Sequence, residues 1–386
     1  MNFDYYNPTK VVFGKEIYNR IPEEIAIHYS QKKIMLTYGG GSIKENGILD
    51  QLKLALAGYD VTYFGGIEAN PEYDTLMKAV QIIKEKGIGF VLAVGGGSVI
   101  DGTKFITAAV SYQGSTPWDV LVRKEGCVFH DAIPFGTVLT LPATGSEMNS
   151  GAVISNSRLK EKRTMGGPQS FPKFSFLNPL VVASLPEKQL ANGVIDAFMH
   201  TLEQYLTFPT WNLLQERIAE GILATLLEVG PKVIKHPSDD ELAANLMWCA
   251  TMALNGTLRA GVVYDWSTHM IAHELTALHG IDHARTLAIV APELYRMQLE
   301  QKREKLNQCG QRIFGLKGDC ATDTIDRIED FFNSLQVPTR LREYITELGD
   351  TDEIIATRFK ERGWLEMGEN GDITPEKAAR IIRNAF

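Results

Sequence analysis

Long apolar runs are missing from this chain of 386 residues. None approaches the roughly 18 residues that a membrane-spanning helix needs, so no membrane partner is expected. The opening MNFDYYNPTK has no basic region leading into an apolar stretch, and a secretory signal is not expected either. A basic excess is missing too. Lys and Arg total 39 against 47 Asp and Glu, a net charge of −8, where a nucleic-acid binder would carry a basic stripe over the phosphates. Cysteine is scarce. The four present, Cys127, Cys249, Cys309 and Cys320, form no CxxC pair and read as reduced thiols of a cytoplasmic protein. Internal repeats and low-complexity tracts are also absent.

What is present is ordinary for a folded globular chain, with 44% hydrophobic and 22% charged residues. The length asks for two domains or one large one. Over the first half, short apolar runs alternate with amphipathic stretches. KKIMLTY (32–38), YDVTYF (59–64), FVLAV (90–94) and the start of PFGTVLTLPATGSEMNSG (134–151) are strand-like. PEYDTLMKAVQIIKEKG (71–87) has helical spacing, with Pro71 suited to its first turn. Strand–loop–helix repetition predicts a parallel, Rossmann-like sheet flanked by helices. Beyond about residue 185 the periodicity is helical throughout, with Ser184 a candidate N-cap, Pro186 just inside and Glu187 after it. The fold expected is an α/β N-terminal domain over 1–184, followed by an all-helical C-terminal domain over 185–386.

Two of the strand-like runs end in the same tetrapeptide, GGGS, at 39–42 and 95–98. Glycines after a buried strand let a ligand approach the backbone, and a helix starting there turns its amide end toward that ligand. Phosphate is the usual occupant, with Ser98 as an additional hydroxyl donor. The GxGxxG fingerprint is not met, because Ile100 stands at the third glycine position, and no GK[ST] follows to make a Walker loop. One such loop could merely pack a helix against a sheet; two in one parallel sheet point to a dinucleotide. NAD enzymes commonly place a carboxylate near the adenosine ribose. Here Gly39, Gly40, Gly41 and Ser42 offer none before Glu45, which favours NADP(H). Lys44 either adds attraction for a 2′-phosphate or is simply solvated.

The eight histidines are unevenly spread. His269, His273, His279 and His283 fall in DWSTHMIAHELTALHGIDH, and Asp196 and His200 stand four apart in VIDAFMHTLEQ. Residues four apart share a helix face, so each i,i+4 pair could reach one ion. His269 and His283, fourteen residues apart, would lie roughly 21 Å apart on one straight helix. Gly280 can end the first helix and let a second begin near His283. A carboxylate with imidazoles suits Fe2+ or Zn2+ in an open catalytic site. An isolated histidine pair is more often helix surface or satisfied core, and spacing alone does not choose among these histidines. HELTALH does not fit HExxH, which argues against a zincin.

Together, GGGSVID (95–101), TLPATGSE (140–147), DAFMH (196–200) and HMIAHE with GIDHA (269–284) resemble the iron-containing alcohol dehydrogenase family, nearest its butanol-dehydrogenase and NADPH-dependent aldehyde-reductase branch. The resemblance implies that Asp196, His200, His269 and His283 bind one divalent metal, Fe2+ or Zn2+. It places His273 at the family's non-ligand histidine near the nicotinamide, as the catalytic candidate. It also implies that Gly39, Gly40, Gly41 and Ser42 surround the adenosine end and that Gly96, Gly97 and Ser98 take the pyrophosphate. Asn70, Asp101, Thr140, Thr144, Asn149 and Lys162 match positions along the rest of the dinucleotide. The family's TTxGTGSE stands here as TLPATGSE, differing at Leu141 and Pro142. NAD-preferring members carry Asp where this chain has Gly40. The resemblance further implies at least a dimer.

The expected chemistry is reversible hydride transfer between NADP(H) and a primary alcohol or aldehyde. The metal acts as Lewis acid, and His273 either relays a proton or packs against the nicotinamide. Trp118, Tyr264 and Trp266 are aromatic candidates for a substrate wall, though most aromatics are core. The alternatives are a dehydroquinate-synthase-like lyase of the same fold, a metallohydrolase, and a non-catalytic metal or nucleotide binder. The lyase would need a basic cluster for substrate phosphate, and none stands around residues 196–283.

Overall fold

The computed structural model describes residues 2–208 and 212–386. The chain forms two compact units. A sheet unit takes Tyr6–Leu185 and Pro237–Met247; a helical unit takes the residues up to Tyr5, then Pro186–His236 and Trp248–Phe386.

The sheet unit is built on six parallel strands, β1 (Lys10–Phe13), β2 (Lys33–Tyr38), β3 (Asp60–Phe64), β4 (Val91–Gly95), β5 (Phe135–Leu139) and β8 (Phe174–Leu177). A separate antiparallel hairpin pairs β6 (Ala152–Asn156) with β7 (Glu161–Met165). Every residue of β4, β5 and β8 is buried, which is why these runs read as continuous apolar or small residues rather than alternating ones. The connecting helices are α1 (Ile21–His28), α2 (Ser42–Glu45), α3 (Ile48–Ala55), α4 (Tyr73–Lys86), α5 (Gly97–Ser111) and α6 (Trp118–Leu121).

Sheet order is β1-β8-β5-β4-β2-β3. From β2 the chain moves outward to β3, then returns across β2 to β4 and continues the other way. The order therefore reverses between β2 and β4, and the crevice beyond the carboxyl ends of two such strands is where open α/β sheets bind ligands. Both GGGS loops leave from these two ends.

The helical unit contains α7 (Glu187–Tyr205), α8 (Leu213–Lys235), the later part of α9 (Asp240–Ala253), α10 (Ser267–His279), α11 (His283–Met297), α12 (Leu299–Ile313), α13 (Ala321–Ser334), α14 (Thr351–Glu361) and α15 (Pro375–Ala385). From Gly193 to Tyr205, α7 is buried on every face, as befits the central helix of a bundle. Among the described residues no helix is long and apolar enough to cross a membrane. All four cysteines are free thiols.

Two helix starts differ from the sequence expectation. Ser184 closes a short 3-10 turn, Pro179–Ser184, and its hydroxyl donates to the Val181 carbonyl at 2.8 Å. Leu185 and Pro186 are extended, so α7 starts at Glu187 with Pro186 at the N-cap. Pro71 likewise lies outside α4, which begins at Tyr73 after an extended Glu72. The Pro71 carbonyl and Glu72 are tied instead to Ser155 in β6.

Candidate active site

In the helical unit, α7 supplies Asp196 and His200, one turn apart on one face. The start of α10 supplies His269. Asp196, His200 and His269 are all buried, and each offers a ligand atom within 4.8 Å of the other two. The His200 and His269 rings stack with centroids 4.7 Å apart. Asp196 Oδ1 accepts no hydrogen bond from any described residue. One carboxylate and two imidazoles converging in a buried place form a metal-binding triad, with the hard oxygen and borderline nitrogens that Fe2+ or Zn2+ accept.

Gly280 ends α10 in the left-handed conformation (φ 68°), and α11 begins at His283. That break brings His283 back beside the triad, its ring centroid 5.3 Å from His269. Asp282, the N-cap residue of α11, anchors the turn to α7 by accepting from Lys188 Nζ at 2.8 Å and Asn192 Nδ2 at 3.1 Å. The His273 ring lies 4.6 Å from that of His283 and 6.2 Å from that of His269. Trp266 stands edge-on to His269, 5.2 Å between centroids, with Tyr264 5.8 Å beyond it. Trp118 belongs to the sheet unit, where it packs on Tyr73.

A residue the sequence reading did not single out holds this arrangement together. Glu203, one turn beyond His200, is fully buried and hydrogen-bonds the Nδ1 of His269. Its Oε1 accepts from the amides of Thr268 at 2.8 Å and His269 at 3.4 Å. Burial and the Asp265 charge push the Glu203 carboxyl well up, while the Thr268 and His269 amides pull the other way. Asp265 in turn accepts from Ser267 N–H at 2.7 Å and meets buried Lys302 at 3.1 Å. Burial opposes the charged Asp265, but Lys302 and Ser267 hold its carboxyl below the usual range. The available signal was position: Glu203 follows Asp196 by two turns, on the same face.

In the sheet unit, α5 starts at Gly97 immediately after β4, with Gly96 as N-cap and no side-chain cap. Such a start leaves the first amides of the helix for an anion. Gly39, Gly40, Gly41 and Ser42 follow β2, and a β-carbon at Gly40 would meet nothing within 4 Å. Gly40 is exposed, and the chain's own packing does not require glycine there. Thr140 and Thr144 lie in the loop after β5, and Asn70 in the loop after β3.

Several of the expected coenzyme residues are engaged inside the protein. The Ser98 hydroxyl donates to the Ala69 carbonyl, joining α5 to the loop that carries Asn70. Asp101 accepts from Ser146 Oγ at 2.5 Å and from Val153 N–H at 2.9 Å. Asn149 Oδ1 accepts from Lys104 Nζ and Gly151 N–H, both at 3.0 Å, and its Nδ2 donates to the Gly145 carbonyl. Lys162 is buried in β7, opposite Ser155. The centre of this network is Lys104, fully buried, which also donates to Ser146 Oγ and the Gly151 carbonyl at 2.7 Å. Burial pulls its pKa down to about 8.

Comparison with known proteins bears on both units. Residues 8–179 match the family described as iron-containing alcohol dehydrogenase, and residues 190–385 match its C-terminal domain. The NADPH-dependent aldehyde reductase YqhD of Escherichia coli (strain K12) is 46% identical over 389 residues, covering 100% of this chain and 99% of that protein. The crystal structure of E. coli K-12 YqhD superposes with a TM-score of 0.96, covering 100% and 99% of the two chains at 46% identity. That of NADH-dependent butanol dehydrogenase A from Thermotoga maritima gives 0.94 at 33% identity, covering 100% and 98%.

Proposed function

This chain belongs to the iron-containing alcohol dehydrogenase family, and from that premise we propose that it interconverts aldehydes and primary alcohols using NADP(H). It is a metal- and nicotinamide-dependent oxidoreductase. The observation that carries the reading is the convergence of Asp196, His200 and His269 within 4.8 Å. His283, held beside them by the turn at Gly280, is the fourth ligand in this proposal.

When bound, the reduced coenzyme would supply the hydride, and a divalent ion, Fe2+ or Zn2+, held by Asp196, His200, His269 and His283, would supply Lewis-acid polarisation of the carbonyl. The chain's own residues do the rest. One carboxylate and three neutral imidazoles leave a net positive charge where the alcohol oxygen becomes negative. His273 exchanges the alcohol proton, since imidazole is the side chain that does so near neutral pH. Trp266 and Tyr264 give the site an apolar wall that suits an aldehyde's hydrocarbon part.

The sheet unit holds the dinucleotide in the same reading, at the crevice between β2 and β4. Gly96, Gly97 and Ser98 take the pyrophosphate at the start of α5. The open space at Gly40 admits a 2′-phosphate that a carboxylate would repel, which supports NADP(H). Gly39, Gly41, Ser42, Asn70, Thr140 and Thr144 line the path, while Asp101, Asn149 and Lys162 shape it from beneath. A cytoplasmic homodimer belongs to the same proposal, and sedimentation of the purified protein reads the dimer.

The test is NADPH consumption with butanal by chelator-stripped protein, before and after Zn2+ or Fe2+ is restored. Turnover that appears only with the ion is the expected result. Full turnover without it, or none with any short aldehyde once the ion is restored, contradicts the reading.

A further inference from the structure

Helix α10 begins without a cap of its own. Trp266, at the N-cap position, offers no side-chain acceptor. The amides of the first turn are served from elsewhere: Ser267 N–H by Asp265, and the Thr268 and His269 N–H groups by Glu203 of α7. The main-chain carbonyl of Glu203 also accepts from Asp265 N–H at 3.1 Å. Its second carboxylate oxygen, Oε2, then meets Nδ1 of the His269 ring. A single buried side chain thus fixes both the backbone and the ring of one residue.

The two amides donating to Oε1 favour the ionised form of Glu203 against its burial; an ionised carboxylate only accepts, so the ring nitrogen facing it then carries the proton. An imidazole protonated on Nδ1 has its lone pair on Nε2, the nitrogen left for an ion. We propose that Glu203 is the positioning residue of the metal centre, selecting the His269 tautomer that presents a bare Nε2 alongside Asp196 and His200. This rests on the reading of those three residues as ligands. Carboxylates placed behind ligating histidines set ring orientation and raise ligand basicity, and losing one costs about 10–100-fold in metal affinity.

A purely structural role, capping α10, separates from this one in Glu203→Gln. The glutamine carbonyl can still accept from the two amides. Its NH2 then faces Nδ1, which must turn a lone pair to it, and the ring proton moves to Nε2 and points into the site. The cap survives while the tautomer inverts.

The experiment has two readouts besides turnover. In metal-free protein labelled with 15N-histidine, the His269 signals, assigned by their loss in His269→Asn, report which ring nitrogen holds the proton. Zn2+ affinity is measured by competition with a chromogenic chelator. Wild type is expected to carry the proton on Nδ1. Glu203→Gln is expected to carry it on Nε2 and to bind Zn2+ about 10–100-fold more weakly, with NADPH binding and Tm near wild type. A wild-type proton on Nε2 overturns the proposal even if the variant fails to fold. So does unchanged Zn2+ affinity in Glu203→Gln when His269→Asn has lost it. If wild type binds no Zn2+, or His269→Asn binds it as tightly as wild type, the metal reading itself fails.

Discussion

The side chain of Thr144 fills the space that a β-carbon on Gly97 would need, its own Cβ only 2.9 Å from that position. Gly97 is therefore required by the loop after β5 as well as by any ligand at the start of α5. Gly97→Ala is predicted to displace Thr144, destabilise the fold by about 1–3 kcal/mol and raise the NADPH Kd by about tenfold. Fluorescence titration with NADPH checks this, and undiminished affinity in Gly97→Ala would show that the loop does not shape the coenzyme site.

Gly40 is different, having neither a positive φ nor any atom within 4 Å of a β-carbon. Gly40→Asp should therefore fold normally and shift preference from NADPH toward NADH, because the new carboxylate repels a 2′-phosphate and suits a 2′-hydroxyl. The ratio of kcat/KM for the two coenzymes reads it. An unchanged ratio removes the argument for NADP(H) from this loop.

Lys302 is buried between Asp265 and Glu369, 3.1 and 2.6 Å from their carboxylates, and also donates to the Leu206 carbonyl at 2.7 Å. Lys302→Met leaves two buried carboxylates without their cation. A loss of about 3–5 kcal/mol in urea unfolding is expected. The damage reaches the metal centre, because Asp265 caps the helix that carries His269, so Zn2+ affinity should fall as well. A change under about 1 kcal/mol would mean the cluster is not held by this charge.

Lys104 gives a pH dependence whose sign is fixed. Folded, it releases its proton near pH 8; unfolded, near 10.5. Between those values the unfolded chain binds more protons, so raising the pH favours the folded state. Wild type should gain stability relative to Lys104→Met as pH rises from about 8 to 10.5, read as urea midpoints of both proteins. A gap that stays constant or narrows would contradict the burial argument.

Much of this was legible in the sequence. The buried runs of β2 and β4 with their glycine triplets, Gly280 as a helix stop, and the four-residue spacings Asp196/His200 and His269/His273 carry local signals, while the choice of His269 over His273 came from the family resemblance. The edge strand β1 and the polar hairpin strand β7 were not read, because KVVF is four residues long and EKRTM has no apolar alternation; tertiary pairing makes them strands. Asp101 and Asn149 read as coenzyme contacts from the family pattern. Their hydrogen bonds to Ser146, Val153, Lys104 and Gly145 come from a fold-dependent network that no spacing reveals. Glu203 shares a helix face with Asp196, but on its own helix it is one more charged residue, and only α10 gives it a partner.

The most direct measurement is anomalous diffraction at the zinc edge from crystals grown with Zn2+. The account predicts one strong peak bonded to Asp196, His200, His269 and His283, at about 2.0–2.2 Å from each ligand atom. Density maps with no peak among those four side chains would contradict it.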